Sequence, residues 1–480
     1  MKSKLIVSII CILMIFTYLI LPVSANSAQQ HWSGTDAAGV VVTGGDCPIV
    51  VESELLTFDL NEFPSNYYNS SDDFAAYSGK VTAEYTFYNP SDMTVTATLA
   101  FPFGNLPGYA HFNEMGDDEA LTEKYGVEVN GEKIEATLRH TLSSLSDFNL
   151  ESDLPLLSDD YITSGIYSPD TTVTVYCWNM DYTPTGNSNP TFACDIGKAD
   201  GKRVYYFPRQ SCGHMQEDGS YRIGGSTGYA SPILYVIGEP LTELPIWRMY
   251  DDAGCEDKDV IASHITLYKT ETISLLDFAL ANRDEDSQVS EIDWYNAVVS
   301  EMVGGLKQEE YPVLSLYYYS NNYSRDYMRW YQYDITLAPG ERITNTVTAP
   351  MYPAIDMSYL PTIFNYTYLT SPASTWADFG ELKIVINTPY HLTESNVQGF
   401  EKTEGGYEIV LDGLPKDGEG KYIDLKFTLS TEENPVPRSQ TPGGIVKNIT
   451  YFILFFWPFI LIGLVIISIV IIIIVRKKKR

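Results

Sequence analysis

The sequence predicts a mainly β protein: two β-sandwich-like extracellular regions, a small helical insert between them, and one C-terminal transmembrane helix. Three observations predict it. Residues 80–103 alternate apolar and polar side chains with a period of two. Asn130-Gly131, the strongest two-residue turn signal, separates two further alternating stretches. Residues 451–475 are uncharged and mostly aliphatic or aromatic, and Arg476-Lys477-Lys478-Lys479-Arg480 follows them at once.

Each element has a local cause. Lys2 and Lys4 precede an apolar stretch, and Val23-Ser24-Ala25 supplies small residues at cleavage spacing, so residues 1–25 form a signal peptide. Residues 26–45 are a linker, and 46–270 the first sandwich-like domain. There Val81, Ala83, Tyr85 and Phe87 alternate with polar residues. After the turn Asn89-Pro90-Ser91-Asp92, so do Val95, Ala97, Leu99 and Phe101. The pattern predicts two half-buried antiparallel strands joined by a short loop. Folding about Asn130-Gly131 sets Glu128 opposite Lys133 and Val127 opposite Ile134. Further strands are expected over 172–182, 202–207, 232–237 and 260–270.

Helical spacing over 273–281 and 291–303 places the helical insert at 271–310, with Ser290 and Asp293 as a capping pair for the second helix. Strands over 313–319, 329–337, 341–349, 381–387, 407–411 and 422–429 make the second sandwich-like domain, 311–431. Residues 432–448, rich in Pro, Gly and Ser, form a stalk. The transmembrane helix takes 449–475 and the basic tail 476–480. At ~1.5 Å per residue the apolar run is about 37 Å long, enough to cross a hydrocarbon core of ~30 Å. The basic tail should stay cytoplasmic, which leaves the N-terminus outside a single-pass cell-membrane protein. No sortase motif precedes the run: Gln440-Thr441-Pro442-Gly443-Gly444 does not fit L-P-x-T-G.

Composition excludes some functions. The chain has 31 Lys and Arg against 62 Asp and Glu. Two of the basic residues lie in the signal and five in the tail, so the outer part carries 24 against 62, a net charge of −38. Such a surface repels nucleic acid and anionic headgroups. Five cysteines remain after cleavage: Cys47, Cys177, Cys194, Cys212 and Cys255. Outside the cell they can form disulfides, and their odd number leaves at least one unpaired or joined to another chain.

Three constellations could carry chemistry. Gly224-Gly225-Ser226-Thr227-Gly228 matches the G-x-S-x-G of a nucleophile elbow, but a strand-like run follows where the elbow needs a helix, so a glycine-rich loop is expected. Asn282, Asp284, Asp286, Gln288 and Asp293 fall at the oxygen-ligand offsets of a twelve-residue calcium loop, with Val289 at the apolar eighth position. Ser287 replaces the usual Gly, and Asp293 the usual bidentate Glu. Tyr317, Tyr319, Tyr323, Trp330 and Tyr331 concentrate aromatic surface that can stack on sugar rings or anchor a protein partner.

Tyr85-Thr86-Phe87-Tyr88-Asn89-Pro90-Ser91-Asp92, Phe101-Pro102 and Val127-Glu128-Val129-Asn130-Gly131-Glu132-Lys133-Ile134 resemble the vault/inter-alpha-trypsin (VIT) module over about residues 80–140. The resemblance implies a β-sandwich. That family often carries an adjacent von Willebrand A domain, whose Asp-x-Ser-x-Ser metal motif this sequence lacks. The whole layout is similar to surface proteins of Gram-positive bacteria.

The expected function is that of a membrane-tethered extracellular protein of structural or interaction type, without a catalytic motif. The alternatives are a glycan- or peptide-binding adhesin using the tyrosine-rich region, and a cell-wall hydrolase. Expected partners are the membrane, through the C-terminal helix, and a protein or glycan outside the cell; calcium is the one candidate cofactor.

Overall fold

The computed structural model describes residues 31–32, 35–43, 47–64, 79–105, 107, 125–141, 153–183, 186, 189–197, 201–252, 254–256, 259–283, 287–305, 312–316 and 327–441. The first part of the chain supplies β1 (His31–Trp32), β2 (Asp36–Ala38), β3 (Val41–Val42), β4 (Val50–Asp59), β5 (Lys80–Tyr88), β6 (Val95–Gly104), β7 (Gly126–Val129), β8 (Glu132–Ile134) and β9 (Thr137–Thr141). A middle part follows with β10 (Thr172–Tyr182), β11 (Thr191–Ile196), β12 (Arg203–Tyr206), β13 (Cys212–Met215), β14 (Tyr221–Ser226), β15 (Ile233–Gly238), β16 (Arg248–Tyr250), β17 (Val260–Ile261) and β18 (Ser263–Ser274). It ends in helices α1 (Leu275–Leu280) and α2 (Glu291–Gly305) and strand β19 (Val313–Leu314). The last part adds β20 (Met328–Leu337), β21 (Arg342–Pro350), β22 (Ala354–Asp356), β23 (Tyr359–Leu360), β24 (Ile363–Leu369), β25 (Phe379–Asn387), β26 (His391–Ser395), β27 (Glu401–Lys402), β28 (Gly406–Leu411), β29 (Leu425–Ser430) and β30 (Val436–Pro437).

The chain is mainly β, but the expected fold class needs correction. The first and last parts interleave in one body instead of forming two sandwiches in sequence. An eight-stranded sheet runs β27-β28-β25-β4-β5-β21-β7-β8, and facing it are the sheets β3-β6-β20-β9 and β1-β22-β24-β29-β26. One continuous core lies between, containing Phe58, Tyr85, Phe87, Leu99, Phe101, Tyr366 and Phe427 among others. The boundaries at 46–270 and 311–431 therefore cut through sheets. The expected linker, 26–45, contributes β2 and β3, which pair with β24 and β6. Where a stalk was expected, β30 pairs with β23. Among the described residues no helix is long and apolar enough to cross a membrane, and residues 451–475 lie outside them.

The pair expected as one hairpin is also corrected. β5 pairs with β4 and β21, whereas β6 pairs with β3 and β20. The loop between β5 and β6 therefore crosses from one sheet to the other, and 338–341 does the same between β20 and β21. Alternation reveals which face of a strand is buried, and both strands do point apolar residues into the same core; it does not name the partner. The Asn130-Gly131 hairpin matches expectation, with Val127 opposite Ile134 and Glu128 opposite Lys133. Asn130 (φ 52°) and Gly131 (φ 79°) both take the left-handed conformation that such a turn demands.

Asn89 locks the two crossings together. It is fully buried. Its Nδ2 lies 2.8 Å from the Met93 carbonyl and 3.1 Å from those of Leu337 and Ala338. Its Oδ1 accepts from Ser91 N and Oγ, its N–H donates to the Glu341 carbonyl, and its own carbonyl accepts from Gly340 N.

Residues 153–316 form an insert in this body, leaving from β9 and returning to β20. Those strands are neighbours, with His140 opposite Arg329. The insert is layered: β18-β10-β15-β12-β19 packs one face on β13-β14-β11-β16-β17 and the other on the two helices. Tyr176, Trp178, Phe192 and Met249 fill the gap between the sheets, and Phe278, Trp294 and Val298 bring the helices down onto the first. Ser290 caps α2 as expected, accepting from Asp293 N at 3.0 Å. A disulfide, Cys212–Cys255, ties β13 to the loop after β16; Cys177 and Cys194 are buried thiols and Cys47 a half-buried one.

Within the main core sits one carboxyl group. Glu54 accepts from the Tyr368 hydroxyl at 3.3 Å, which lies 3.4 Å from the Tyr85 hydroxyl, which in turn accepts from Val40 N. Burial pushes the Glu54 carboxyl up to about 7, against the opposing pull of hydrogen bonds from Tyr85 and Tyr368.

Two predictions follow from these buried polar groups. Asn89→Ala removes the amide but leaves three carbonyls behind it, and should lower unfolding stability by about 3 kcal/mol in a urea titration. Glu54 binds its proton more tightly folded than unfolded, so its contribution to stability falls as pH rises from about 4.5 to about 7 and stays low above that. The loss should amount to about 3 kcal/mol. Glu54→Gln should remove that part of the pH dependence, which urea titrations of both proteins at acid and alkaline pH will measure.

Candidate functional site

The aromatic candidates divide. Trp330 is fully buried on β20, donates from Nε1 to Thr141 Oγ1 at 2.8 Å, and packs with Val41, Ala100 and Leu157. Tyr331, on the other face of the same strand, is buried and stacks on Phe103 with ring centroids 4.6 Å apart. Neither can meet a partner, because the first half of β20 is covered on both faces: by the main core on one side and by the start of the insert on the other. Tyr317, Tyr319 and Tyr323 lie outside the described residues.

Of the calcium candidates, Asp293 is engaged by the protein itself. This carboxylate is wholly buried at the start of α2, where Arg139 Nε and Nη2 reach Oδ1 at 2.9 and 2.8 Å and His140 N donates to Oδ2 at 2.9 Å. The same guanidinium donates to Asp159 Oδ1, Gln332 Oε1 and the Ser158 carbonyl. Asp293 is thus the anionic half of a junction between insert and main body. The preceding loop is drawn together by another cation, since Arg283 donates to the carbonyls of Val289 and Ser287 at 2.9 and 3.3 Å. Asn282 sits in the turn after α1, while Asp284 and Asp286 lie outside the described residues. Among the described residues no group of three His, Cys, Asp or Glu is placed to hold a metal.

The G-x-S-x-G segment is the end of a strand. Ser226 closes β14 opposite Thr191, and its carbonyl accepts from Tyr229 N and Ala230 N in a tight turn. A Cβ on Gly224 would strike the Phe192 carbonyl and lie 2.7 Å from Ala193 Cβ and 2.8 Å from Cys212 Sγ. Close strand approach requires that glycine, and no helix follows to expose the serine.

A cleft that sequence reasoning missed lies at the ends of the two insert sheets. It has a volume of about 450 Å³, and Asp195, Arg203, Tyr205, Leu244, Ile246 and Arg248 are among its walls. Strand pairing assembles it: Ala193 of β11 sits opposite Arg248 of β16, which brings that arginine beside Asp195. Arg222 of β14, opposite Asp195 across the next ladder, grips both carboxylate oxygens from behind at 2.7 and 2.8 Å. Arg248 Nη1 is 3.8 Å from Asp195 Oδ2, and Arg203 Nη2 is 3.6 Å from Glu239 Oε2. The lip is the connection between β15 and β16, anchored at one end by Leu241 N donating to the Tyr176 hydroxyl and at the other by buried Trp247. Between these anchors Leu244 and Ile246 are held out in solvent, 48% and 74% exposed. The arrangement can bind a charged or polar group on its floor and an apolar one at its lip. A trace of it exists in the sequence, as three arginines in a strongly acidic chain and an aliphatic Leu-Pro-Ile run between Glu243 and Trp247.

No protein-family model matches the chain, and no curated protein matches it. Among solved structures it is similar to a crystal structure described as a "putative nutrient binding protein" from Legionella pneumophila, at 11% identity over 84% of this chain and 72% of that one. The TM-score is 0.33, too low to relate the two folds or their functions.

If Asp293 serves Arg139 and not a metal, Asp293→Ala should cost about 3 kcal/mol, since it removes the buried carboxylate that Arg139 and the His140 N–H donate to. Melting in chelator should show the same loss as melting in calcium.

Proposed function

We propose that this chain is a non-catalytic binding protein, that the cleft at the ends of the insert sheets is its recognition site, and that the ligand is peptide-like. The observation that supports it is the convergence of Arg203 and Arg248 with the exposed Leu244 and Ile246 around one open volume of about 450 Å³. Binding sites characteristically pair a few placed polar groups with apolar walls. A peptide fits this better than a glycan. Trp330, Tyr331 and the cleft's own aromatic, Tyr205, are all buried, so the cleft mouth is aliphatic where a sugar-stacking site needs a flat ring.

The test is a peptide array and a glycan array probed with the full chain, followed by titration calorimetry of each hit against the Ile246→Trp variant. The larger side chain should crowd the cleft mouth and weaken a peptide hit at least tenfold. Glycan hits alone, or peptide hits indifferent to Ile246→Trp, would defeat the proposal.

A further inference from the structure

Strand β18 ends the first insert sheet. It pairs with β10 on one side, and among the described residues no strand lies on its other side. A strand in that place turns the N–H and C=O of every second residue outward, ready to pair with another chain. Its side chains are uncovered too: Thr266, Leu267, Tyr268, Lys269, Thr270 and Thr272 are exposed, Tyr268 by 58%. Successive residues point to opposite faces, so the middle of the strand is bare on both. Its charge also departs from that of the chain. Lys269 and Glu271 are its only Lys, Arg, Asp or Glu, which makes the strand neutral where the whole chain carries −31. Copies of so acidic a protein repel one another, and a neutral edge is where two can meet.

We infer that β18 is a dimerisation edge, which pairs antiparallel with β18 of a second copy about a two-fold axis at Thr270. A two-fold contact pairs residue i with j and j with i. With Thr270 opposite itself, Lys269 of each copy lies opposite Glu271 of the other. Both side chains point to the same face of the sheet, since they stand opposite Cys177 and Val175 on β10. Within one copy Lys269 Nζ is 2.7 Å from Glu271 Oε2, so the dimer closes four charges into a square of alternating sign. Opposite charges directly across a ladder stabilise it, and like charges oppose it. That selects the register: an axis at Lys269 would set lysine on lysine, and one at Glu271 glutamate on glutamate. The bulge between Cys177 and Trp178 leaves Tyr268 out of the β10 ladder, so the regular stretch is short and the dimer depends on concentration. A foreign peptide would find the same backbone edge; the match of Lys269 with Glu271 favours a second copy.

Sedimentation velocity of the full chain over a range of concentrations should show a monomer–dimer equilibrium. Lys269→Glu and Glu271→Lys should each weaken the dimer about tenfold, because each turns two attractive cross-strand pairs into repulsive ones. Combining the two substitutions should restore it, a rescue that a merely structural role for either residue would not give. Cysteine pairs then read the register, with the native chain as the blank. Thr270→Cys should cross-link two copies under mild oxidation, since residues opposite each other in a ladder have Cα atoms about 4.5–5.5 Å apart, within disulfide reach. Thr272→Cys should not, because its two copies would stand about 13 Å apart along the strands. A monomer at every concentration would overturn the inference. So would a dimer that ignores both single substitutions, one that their combination fails to restore, or cross-linking at residue 272 and not at 270.

Discussion

The fold depends on one long-range constraint. Strands β5 and β6 must meet β21 and β20 although some 250 residues separate the Asn89 amide from the carbonyls that it reaches. Each strand pair crosses between facing sheets, so neither pair is stable alone: each supplies half of two ladders. Buried Asn89 fixes where both crossings occur, because its donors are satisfied only when the turn at 338–341 lies directly against it. Contacts this distant along the chain are slow to form and costly in loop entropy, so the insert must collapse between them or wait for them.

That constraint also explains what could be read from the sequence and what could not. The span 172–182 was legible as a strand because Val173 and Val175 alternate against a twisted ladder, and α2 was legible because apolar residues recur on one helical face with Ser290 at its start. The Asn130-Gly131 turn declares its own geometry through two residues that tolerate positive φ. Pairing was not legible. Nothing in Val81, Ala83, Tyr85 and Phe87 says that their neighbour is 343–349 and not 95–101, and so two interleaved halves looked like two consecutive domains. Strand β4 was missed because an extra residue, a bulge between Val51 and Ser53, breaks its alternation. Trp330 and Tyr331 misled for a related reason: an aromatic pair buried on both faces of a strand has the same composition as one facing a ligand.

The site was illegible for a further reason. Arg203, Arg222 and Arg248 belong to three strands in two sheets, and only the ladders β11–β14 and β11–β16 bring Asp195 between two of them. The chain pays little for this charge: Arg222 secures the carboxylate by two short bonds, and the remaining cations sit where water still reaches them. The grouping lies at an open cleft, which distinguishes it from the buried Arg139–Asp293 pair.

The enclosed pair has a mechanical meaning. Strands β9 and β20, where the chain leaves the main body for the insert and returns to it, are ladder neighbours, so the insert is joined at one place. Tilting the insert there would pull Asp293 off Arg139 and the His140 N–H and leave that buried carboxylate without its charged partner, at a cost of several kcal/mol. The cleft is therefore carried on a stiff neck, and its direction relative to the large sandwich is set when the protein folds.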